Sequence, residues 1–208
     1  MNDKKIVVID YGMGNLGSVQ NMLKHLGFSC VLSGKKEDIL NADFLILPGV
    51  GKFDQAMINI KSFNLEDAIK NRVLDDAIPT LGICLGMQIM CKKSEEGLES
   101  GLHLVDYEVK KFSKENNRLR IPHIGWNYIK FQENNKLFTR LPKESRFYFV
   151  HSYYVQDSES SLKICTTEYG INFVSGFAKG NLFGVQFHPE KSHKFGKQLF
   201  LNFLNFYG

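Results

Sequence analysis

The sequence predicts an α/β fold with an open, mostly parallel sheet flanked by helices. Three observations in the first half of the chain support this prediction. Short apolar runs recur, a turn or a small residue follows each run, and segments with helical periodicity separate them. Strands that alternate with helices form βαβ units, whose strands run parallel. In such sheets the active site lies beyond the carboxyl ends of the strands.

The first half supplies the parallel part of this sheet. The predicted strands are residues 6–9 (IVVI), 44–47 (FLIL) and 80–83 (TLGI). The first strand is followed by a glycine-rich turn at residues 12–15, the second by PGVG at residues 48–51, and the third by Cys84. We expect PGVG to end the second strand. We expect these three places to converge at one edge of the sheet. The predicted helices are residues 16–26, with Gly27 as a C-terminal stop, 65–74 and 85–92.

The second half is richer in strands. The predicted strands are residues 107–112, 126–131, 147–150, 173–178 and 182–186, and the last helix is predicted at residues 195–206. With 208 residues and no repeat or linker, residues 1–208 are expected to form a single domain.

The composition argues against several classes of protein. No apolar run approaches the ~20 residues of a membrane span, and the N-terminus does not read as a secretory signal, so we expect a cytoplasmic protein with no membrane partner. The net charge of +4 is too mild to indicate nucleic-acid binding. The four cysteines form no C-x-x-C pair and the histidines lack ligand spacing, so we expect neither a disulfide scaffold nor a metal site.

The segment GICLG, residues 82–86, has the form of a nucleophile elbow with cysteine as the nucleophile. A sharp strand-to-helix turn requires small neighbours and places Cys84 at a helix N-terminus, which favours a reactive thiolate. The backbone N–H of Leu85 would then point toward a developing oxyanion. By itself the segment also fits a buried cysteine between two structural glycines.

His188 and Glu190 change the balance toward catalysis. In an extended segment residues i and i+2 project to the same side, so the carboxylate of Glu190 can lie beside the imidazole of His188. A carboxylate in this place selects the imidazole tautomer and stabilises the imidazolium, as the third member of a catalytic triad does. The sequence therefore predicts Cys84, His188 and Glu190 as a catalytic set.

Six segments then resemble a known family, the class I (triad) glutamine amidotransferases. PGVG (48–51), GICLGMQ (82–88) and FHPEKS (187–192) are similar to the signature segments of the family. DYGMGN (10–15), PHIGWN (122–127) and YFVHSYY (148–154) resemble its HisH branch, the glutaminase subunits of imidazole glycerol phosphate synthases. The resemblance runs from near residue 6 to the last helix. It implies the flavodoxin-like fold of that family and no cofactor.

The resemblance also implies a role for each matching position. Cys84 would attack the amide of glutamine, His188 would move the proton and Glu190 would orient His188. The oxyanion would be held at Leu85 and at the Val50–Gly51 segment. Glutamine would be bound by Gly49, Gln88 and the backbone of His151, Ser152 and Tyr153. The contact with a synthase subunit would contain Asn15, Trp126, Asn127 and Lys191.

The implied partner is a HisF-like (βα)₈-barrel cyclase that forms a heterodimer with this chain. The cyclase would use the ammonia to make imidazole glycerol phosphate and aminoimidazole carboxamide ribotide in histidine biosynthesis. Residues 101–108 contain tyrosine where the histidine-pathway proteins usually have glycine. This leaves open a paralogue that supplies ammonia for amidino-sugar formation in surface polysaccharides. A stand-alone cysteine hydrolase and an inactive binding module are further alternatives.

Overall fold

The computed structural model describes residues 4–113, 119–156 and 162–205. The first three residues and the predicted end of the last helix, Phe206, lie outside these ranges. The described strands are β1 (Ile6–Ile9), β2 (Val31–Ser33), β3 (Phe44–Gly49), β4 (Thr80–Cys84), β5 (Lys93–Ser94), β6 (Glu108–Lys111), β7 (His123–Tyr128), β8 (Lys130–Phe131), β9 (Arg146–His151), β10 (Tyr153–Val155), β11 (Lys163–Tyr169), β12 (Ile171–Lys179) and β13 (Leu182–Val185). The α-helices are α1 (Leu16–His25), α2 (Lys36–Leu40), α3 (Phe53–Ser62), α4 (Glu66–Lys70), α5 (Leu85–Ile89) and α6 (His193–Leu204).

Eleven of the described strands form one open sheet. Its main path is β2-β1-β3-β4-β13-β12-β10-β6-β5, and β11 pairs with both β12 and β8. The section from β2 to β13 is parallel throughout, whereas the strands from β13 to β6 pair antiparallel. Strands β7 and β9 form a second, antiparallel sheet. The predicted α/β fold with an open, mostly parallel sheet is confirmed.

The parallel section is buried on both faces. In β1, Val7 and Ile9 belong to a core shared with residues of α3, α4 and α5, while Ile6 and Val8 belong to a core shared with residues of α1 and α6. Because both faces of these strands are covered, their sequences are continuous apolar runs rather than alternating ones. This is why the sequence identified these strands.

The loops that follow β1, β3 and β4 converge as predicted. Gly49 at the end of β3 pairs with Cys84 at the end of β4. A Cβ atom on Gly14, in the loop after β1, would lie 3.1 Å from the Cα atom of Gly49. The prediction that PGVG ends the second strand is wrong, because β3 continues through Pro48 and Gly49. The backbone at this edge therefore remains in register with the candidate nucleophile.

Three predicted elements differ in extent. The helix predicted at residues 65–74 is α4 followed by a π-helical segment, Asn71–Asp75. The helix predicted at residues 85–92 is only α5, because the carbonyls of Ile89 and Met90 accept from Leu102 and Leu104 instead of from a further helical turn. The strand predicted at residues 126–131 is two strands, since β7 pairs with β9 and β8 pairs with β11. The strands and α-helices that the sequence did not predict are β2, β5, β10, β11, α2 and α3.

Within the described ranges no helix combines the length and the apolar character needed to cross a membrane.

Candidate active site

Cys84 lies at the tight turn between β4 and α5. Its backbone has φ 54° and ψ −109°, a left-handed conformation that costs energy in any residue with a Cβ atom. The side chain is buried, and its sulfur lies 3.9 Å from the carbonyl oxygen of Val150 and 3.7 Å from Nε2 of Gln186. A strained cysteine held between a strand and a helix has the geometry predicted for a nucleophile elbow.

The glycines on either side of the turn, Gly82 and Gly86, are required because neighbouring backbone atoms leave no room for a side chain. A Cβ atom on Gly86 would lie 1.7 Å from the carbonyl oxygen of Leu47 in the neighbouring strand. A Cβ atom on Gly82 would lie 2.9 Å from the carbonyl oxygen of Gly86. The turn therefore closes only with glycine on both sides of Cys84, and this explains the spacing of the GICLG segment.

His188 and Glu190 form a buried pair beside this turn. Nδ1 of His188 lies 2.7 Å from Oε1 of Glu190, and the side chains are 2% and 4% exposed. The backbone N–H of His188 donates to the carbonyl of Tyr148 at 2.8 Å. The hydroxyl of Ser192 donates to the carbonyl of His188 at 2.6 Å and accepts from the N–H of Tyr148 at 3.0 Å. The short 3₁₀ turn Pro189–Lys191 between them thus holds the imidazole in one place.

The electrostatics of this pair favour a charged imidazole. Burial of the ring opposes protonation, but the Cys84 sulfur and the Glu190 carboxylate outweigh burial and raise the pKa of His188 to about 10. Apart from its interaction with the Cys84 sulfur, Nε2 of His188 has no hydrogen-bond partner among the described residues. Its Nδ1 side is held by a carboxylate, so the Nε2 side is the one left to exchange a proton with a substrate.

Cys84 opens into a cleft of about 270 Å³. The residues that line the cleft are Val50, Gly51, Cys84, Leu85, Gln88, Glu96, Pro122, Val150, His151, Ser152 and Tyr153. This lining contains the three positions predicted for the oxyanion and four of the five predicted for glutamine. The remaining position predicted for glutamine, Gly49, is not in the lining but pairs with Cys84 in the sheet.

Gln88 is buried, and its amide is already engaged. Its Nε2 donates to the carbonyl of Tyr153 at 3.0 Å and to Oε1 of Gln186 at 2.9 Å. Gln186 in turn directs its own Nε2 toward the Cys84 sulfur. The predicted glutamine contacts at Gln88 and Tyr153 are therefore directly connected to each other, and Gln186 connects them to the nucleophile. Sequence analysis did not single out Gln186.

The Val50–Gly51 segment is anchored at both ends and open in between. The buried hydroxyl of Tyr11 donates to the carbonyl of Pro48 at 2.7 Å. At the other end, the N–H of Phe53 donates to Oε2 of Glu96 at 2.9 Å. Val50 itself is 38% exposed, and Gly51 has φ 123°, a conformation that glycine adopts without strain. The segment between the anchors is where a peptide can rotate.

Glu96 is a cleft residue that sequence analysis missed. It is half-buried, and burial raises the pKa of its carboxyl group although the Phe53 N–H opposes this. No sequence motif surrounds Glu96. Its carboxylate is held at the cleft by the hydrogen bond from the N–H of Phe53, the first residue of α3, which is 43 residues earlier in the chain. A carboxylate in the lining of a cleft is suited to bind an ammonium group.

The residues predicted at a partner contact lie on the surface around the candidate site. Trp126 is 42% exposed, its ring stacks on that of His193 at 5.4 Å, and the guanidinium of Arg146 lies 5.7 Å from it. The ammonium of Lys191 lies 5.8 Å above the ring of Tyr148, which pairs with Trp126 in the small sheet. These residues form one exposed aromatic and basic surface beside His188.

Asn15 and Asn127 each have an additional intramolecular role. Asn15 is exposed and caps α1, because its side chain accepts from the N–H of Ser18. Asn127 is half-buried, and its amide donates to the carbonyl of Glu168 at 3.0 Å. Neither observation conflicts with a partner contact, but both residues also stabilise the chain itself. Over residues 4–113, 119–156 and 162–205, no three His, Cys, Asp or Glu side chains are grouped as a metal site requires.

Comparison with known proteins gives the family. The family model described as "Glutamine amidotransferase class-I" matches residues 7–206. The chain is 49% identical to the imidazole glycerol phosphate synthase subunit HisH 2 of Methanococcus maripaludis, over 96% of this chain and 98% of that protein. It is 45% identical to the subunit HisH 2 of Pseudomonas aeruginosa, with the same coverage, and 42% identical to the subunit HisH of Leptospira interrogans, over 95% and 98%.

Solved structures support the fold at lower identity. The chain is similar to the structure described as PurLQS from Thermotoga maritima, with a TM-score of 0.75 and 18% identity over 99% of both chains. It is also similar to a GMP synthase subunit from Thermoplasma acidophilum, with a TM-score of 0.73 and 21% identity over 97% of this chain and 92% of that one. With a family model that spans nearly the whole sequence and relatives above 40% identity at full length, the chain belongs to the class I glutamine amidotransferases.

Proposed function

We propose that this chain is the glutaminase subunit of a two-protein synthase and that Cys84, His188 and Glu190 are its catalytic residues. The observation that carries the proposal is the buried His188–Glu190 pair, whose imidazole also interacts with the sulfur of Cys84, the residue that opens into the cleft. A protonated imidazole beside a cysteine is the arrangement in which the sulfur acts as a thiolate nucleophile.

The reaction follows from these positions. The Cys84 sulfur attacks the side-chain amide carbon of glutamine, the C–N bond breaks, and His188 gives its proton to the departing ammonia. The product is a glutamyl thioester. His188, now neutral, takes a proton from water, which attacks the thioester and releases glutamate and the Cys84 thiolate. Glu190 keeps the same imidazole tautomer through both halves of the cycle.

The oxyanion and the substrate are bound by the lining of the cleft. The N–H of Leu85 at the start of α5 is one oxyanion donor, and a peptide N–H at Val50 or Gly51 is the second. Gly49, Gln88 and the backbone of His151, Ser152 and Tyr153 bind the rest of glutamine. We add Glu96, whose carboxylate is suited to the α-ammonium group. One of its two carboxylate oxygens accepts from the Phe53 N–H, which fixes its position.

The ammonia goes to a partner. Ammonia released into neutral water is protonated and no longer a nucleophile, so transfer to a partner that receives it directly would preserve its reactivity. The names of the relatives identify them as subunits of imidazole glycerol phosphate synthase. This supports a heterodimer with a HisF-like (βα)₈-barrel cyclase in histidine biosynthesis, bound at Asn15, Trp126, Asn127 and Lys191.

A second candidate acceptor is suggested by Tyr107. This residue stands in the segment where histidine-pathway proteins usually have glycine, and its ring is buried against that of Phe177 at 5.6 Å. Two of the relatives also carry the numeral 2 in their names. Both observations fit a HisH-type glutaminase that supplies ammonia for amidino-sugar formation. Family membership disfavours the stand-alone hydrolase, and the Cys–His–Glu arrangement disfavours an inactive binding module.

A single domain over residues 1–208 and a cytoplasmic location remain part of the proposal. The two cores lie on opposite faces of one sheet, which supports a single folding unit.

Two measurements test the function. A diazoketone analogue of glutamine should alkylate Cys84, as located by peptide mass spectrometry, and excess glutamine should protect it. Labelling at another cysteine, or none, would contradict the site. The chain should then be combined with a HisF-like cyclase, its ribotide substrate and glutamine. Imidazole glycerol phosphate is the expected product. Its absence, together with activity on a sugar-modifying synthase, would favour the second acceptor.

A further inference from the structure

Two buried histidines beside the glutamine cleft, His123 and His151, have side chains to which the proposed function assigns no role, although the backbone of His151 lines the cleft. His123 is the first residue of β7 and His151 the last of β9, and the two residues face each other across the small sheet. Their side chains are in contact, with Nδ1 of His123 3.0 Å from Nε2 of His151. His123 is 2% and His151 6% exposed. Because the two imidazoles are in contact and buried, their hydrogen bonds determine which ring nitrogen carries the hydrogen in each histidine.

The inner end of the pair fixes the first proton. Nδ1 of His151 lies 2.7 Å from the carbonyl oxygen of Tyr153. A carbonyl oxygen can only accept, so Nδ1 of His151 carries the hydrogen. In a neutral ring Nε2 is then an acceptor. The hydrogen between the two rings must therefore be on Nδ1 of His123, which leaves Nε2 of His123 as an acceptor in its turn.

The outer end provides the matching donor. Oδ1 of Asn127 accepts from the N–H of Tyr128 at 2.8 Å, which identifies the other amide atom as Nδ2. This Nδ2 lies 3.3 Å from Nε2 of His123 and 3.0 Å from the carbonyl oxygen of Glu168. All the hydrogen bonds thus run in one direction, from Asn127 through His123 and His151 to the Tyr153 carbonyl. Every donor and acceptor along this path is consistent with neutral rings.

The surroundings keep the rings neutral and fixed. Burial lowers the pKa of His123 to about 4. Burial also lowers that of His151 to about 3, although the Tyr153 carbonyl opposes this. The His123 ring is stacked between Tyr169, at 3.9 Å, and Phe149, at 4.7 Å, so it cannot turn without disturbing both. A rigid, neutral ring is a good spacer between two backbone segments.

We propose that His123 and His151 are positioning residues, a one-directional hydrogen-bond relay that holds the Ser152–Tyr153 backbone in place to bind glutamine. The Tyr153 carbonyl accepts from His151 and also from Gln88, so the relay and the predicted glutamine contacts meet at one atom. Asn127, at the outer end, is also one of the residues proposed to contact the partner, so the relay connects the cleft to that proposed contact. The effect on glutamine binding rests on the proposed glutaminase function; the direction of the hydrogen bonds does not.

The first test reads the hydrogen positions without turnover. Imidazole ¹⁵N NMR of the full-length chain at pH 7, with assignments from His123→Phe and His151→Asn, should show both histidines neutral with hydrogen on Nδ1. A hydrogen on Nε2 of either ring, or a charged ring, would overturn the relay. This result is independent of whether the chain hydrolyses glutamine.

The second test separates positioning from packing, with the partner saturating. His123→Phe keeps a stacked ring but removes the donor to His151, and should raise KM for glutamine roughly ten-fold, as expected for a buried acceptor left without its donor, with kcat changed far less. His123→Asn restores a donor near Nδ1 and should recover most of the loss. Tyr169→Leu removes the stacking ring but no hydrogen bond of the relay, and should raise KM far less than His123→Phe does. Wild-type KM in His123→Phe, no recovery in His123→Asn, or an equal rise in Tyr169→Leu would refute the proposal.

If the wild-type complex released no glutamate and Cys84 were not labelled, the proposed function would fail while the NMR result still decided the relay.

Discussion

Oε1 of Glu190 lies 2.7 Å from Nδ1 of His188, and neither side chain has appreciable access to water. Together with the Cys84 sulfur, this carboxylate keeps the pKa of His188 far above its ordinary value despite burial. The carboxylate therefore has two separable effects: it orients the ring, and it stabilises the charge that the ring carries when Cys84 is a thiolate. In the proposed reaction the imidazole is the group that moves the proton.

Glu190→Gln should therefore lower the glutaminase rate less than His188→Ala. The amide preserves the shape and one acceptor, so the ring can still be held, but the stabilising charge is lost. Removing the imidazole abolishes proton transfer altogether. We expect the two variants to differ by roughly ten- to a hundred-fold in kcat with glutamine and saturating partner, by analogy with triad enzymes in which the carboxylate is the least costly member to lose. Wild-type rates in both variants would remove the pair from the site.

Cys84→Ala should abolish activity of the complex with glutamine and preserve activity with added ammonium salts. The substitution deletes the nucleophile, whereas the chemistry that uses ammonia is proposed to belong to the partner. Product formation by the variant complex should be measured with each nitrogen source at the same acceptor concentration. Cys91→Ala is a matched control, because Cys91 is buried in the core away from the cleft. Loss of both activities in a well-folded Cys84→Ala complex would contradict the division of labour.

The central parallel strands β1, β3 and β4 and the proposed catalytic residues were accessible from sequence because their signals are local. Strands buried on both faces are continuous apolar runs, and GICLG and FHPEKS carry their geometric requirements within a few residues. Gly86 illustrates this, since its lack of a side chain is demanded by the carbonyl of Leu47. Where structure depends on neighbours nearby in sequence, the sequence predicted it well.

Glu96 and the His123–His151 contact were missed for the opposite reason. Glu96 enters the cleft because it caps a helix that begins 43 residues earlier, and α3 itself was not predicted. The two histidines are 28 residues apart and meet only through the pairing of β7 with β9. Strand β11 escaped notice because its partners, β8 and β12, become evident only in the assembled sheet. Such relationships are properties of the tertiary structure and leave no pattern in a single sequence.

Glu96→Gln should raise KM for glutamine roughly ten- to a hundred-fold with little change in kcat. The amide can still accept from the Phe53 N–H, but it carries no charge to pair with the α-ammonium group, and hydrogen bonds to charged groups are worth about 1.5–3 kcal/mol. Glutamate release should be followed over a range of glutamine concentrations. Glu99→Gln is the control, since Glu99 pairs with Lys61 outside the cleft lining. An unchanged KM in Glu96→Gln would exclude Glu96 from substrate binding.

The stability of the chain should fall as the pH drops below about 6.5, in part because of His151. Burial lowers the pKa of this histidine from 6.5 to about 3, so between these values the unfolded chain binds a proton that the native chain does not. One such proton changes the free energy of unfolding by up to about 1.4 kcal/mol per pH unit, with stability rising as the pH rises.

His151→Asn, which can still donate to the Tyr153 carbonyl, should show a pH dependence that is shallower by about one proton. Urea unfolding at pH 7, 6 and 5 gives the slope for both proteins, and circular dichroism at each pH checks that both begin folded. Identical slopes would mean that His151 is not held neutral in the native chain.

The isolated chain should be a poor glutaminase, and the partner with bound acceptor should raise its rate by orders of magnitude. The reason is the second oxyanion donor. The Leu85 N–H is fixed at the start of α5, but the other donor lies in the Val50–Gly51 segment, between the anchors at Tyr11 and Glu96. Rotation of one peptide there disturbs neither anchor, and the loss of one oxyanion donor typically costs ~100- to 1000-fold in rate.

A rotated peptide would therefore hold the site inactive until docking at the adjacent surface restores the donor, which would limit wasteful hydrolysis of glutamine. Glutamate release should be compared for the chain alone, with partner, and with partner plus acceptor, with Cys84→Ala as the background in each case. Alkylation of Cys84 by iodoacetamide, measured in parallel, should change far less than the glutaminase rate, because the oxyanion donors do not act in that reaction. Full glutaminase activity of the isolated chain would show that the donor is already in place and would favour a stand-alone hydrolase.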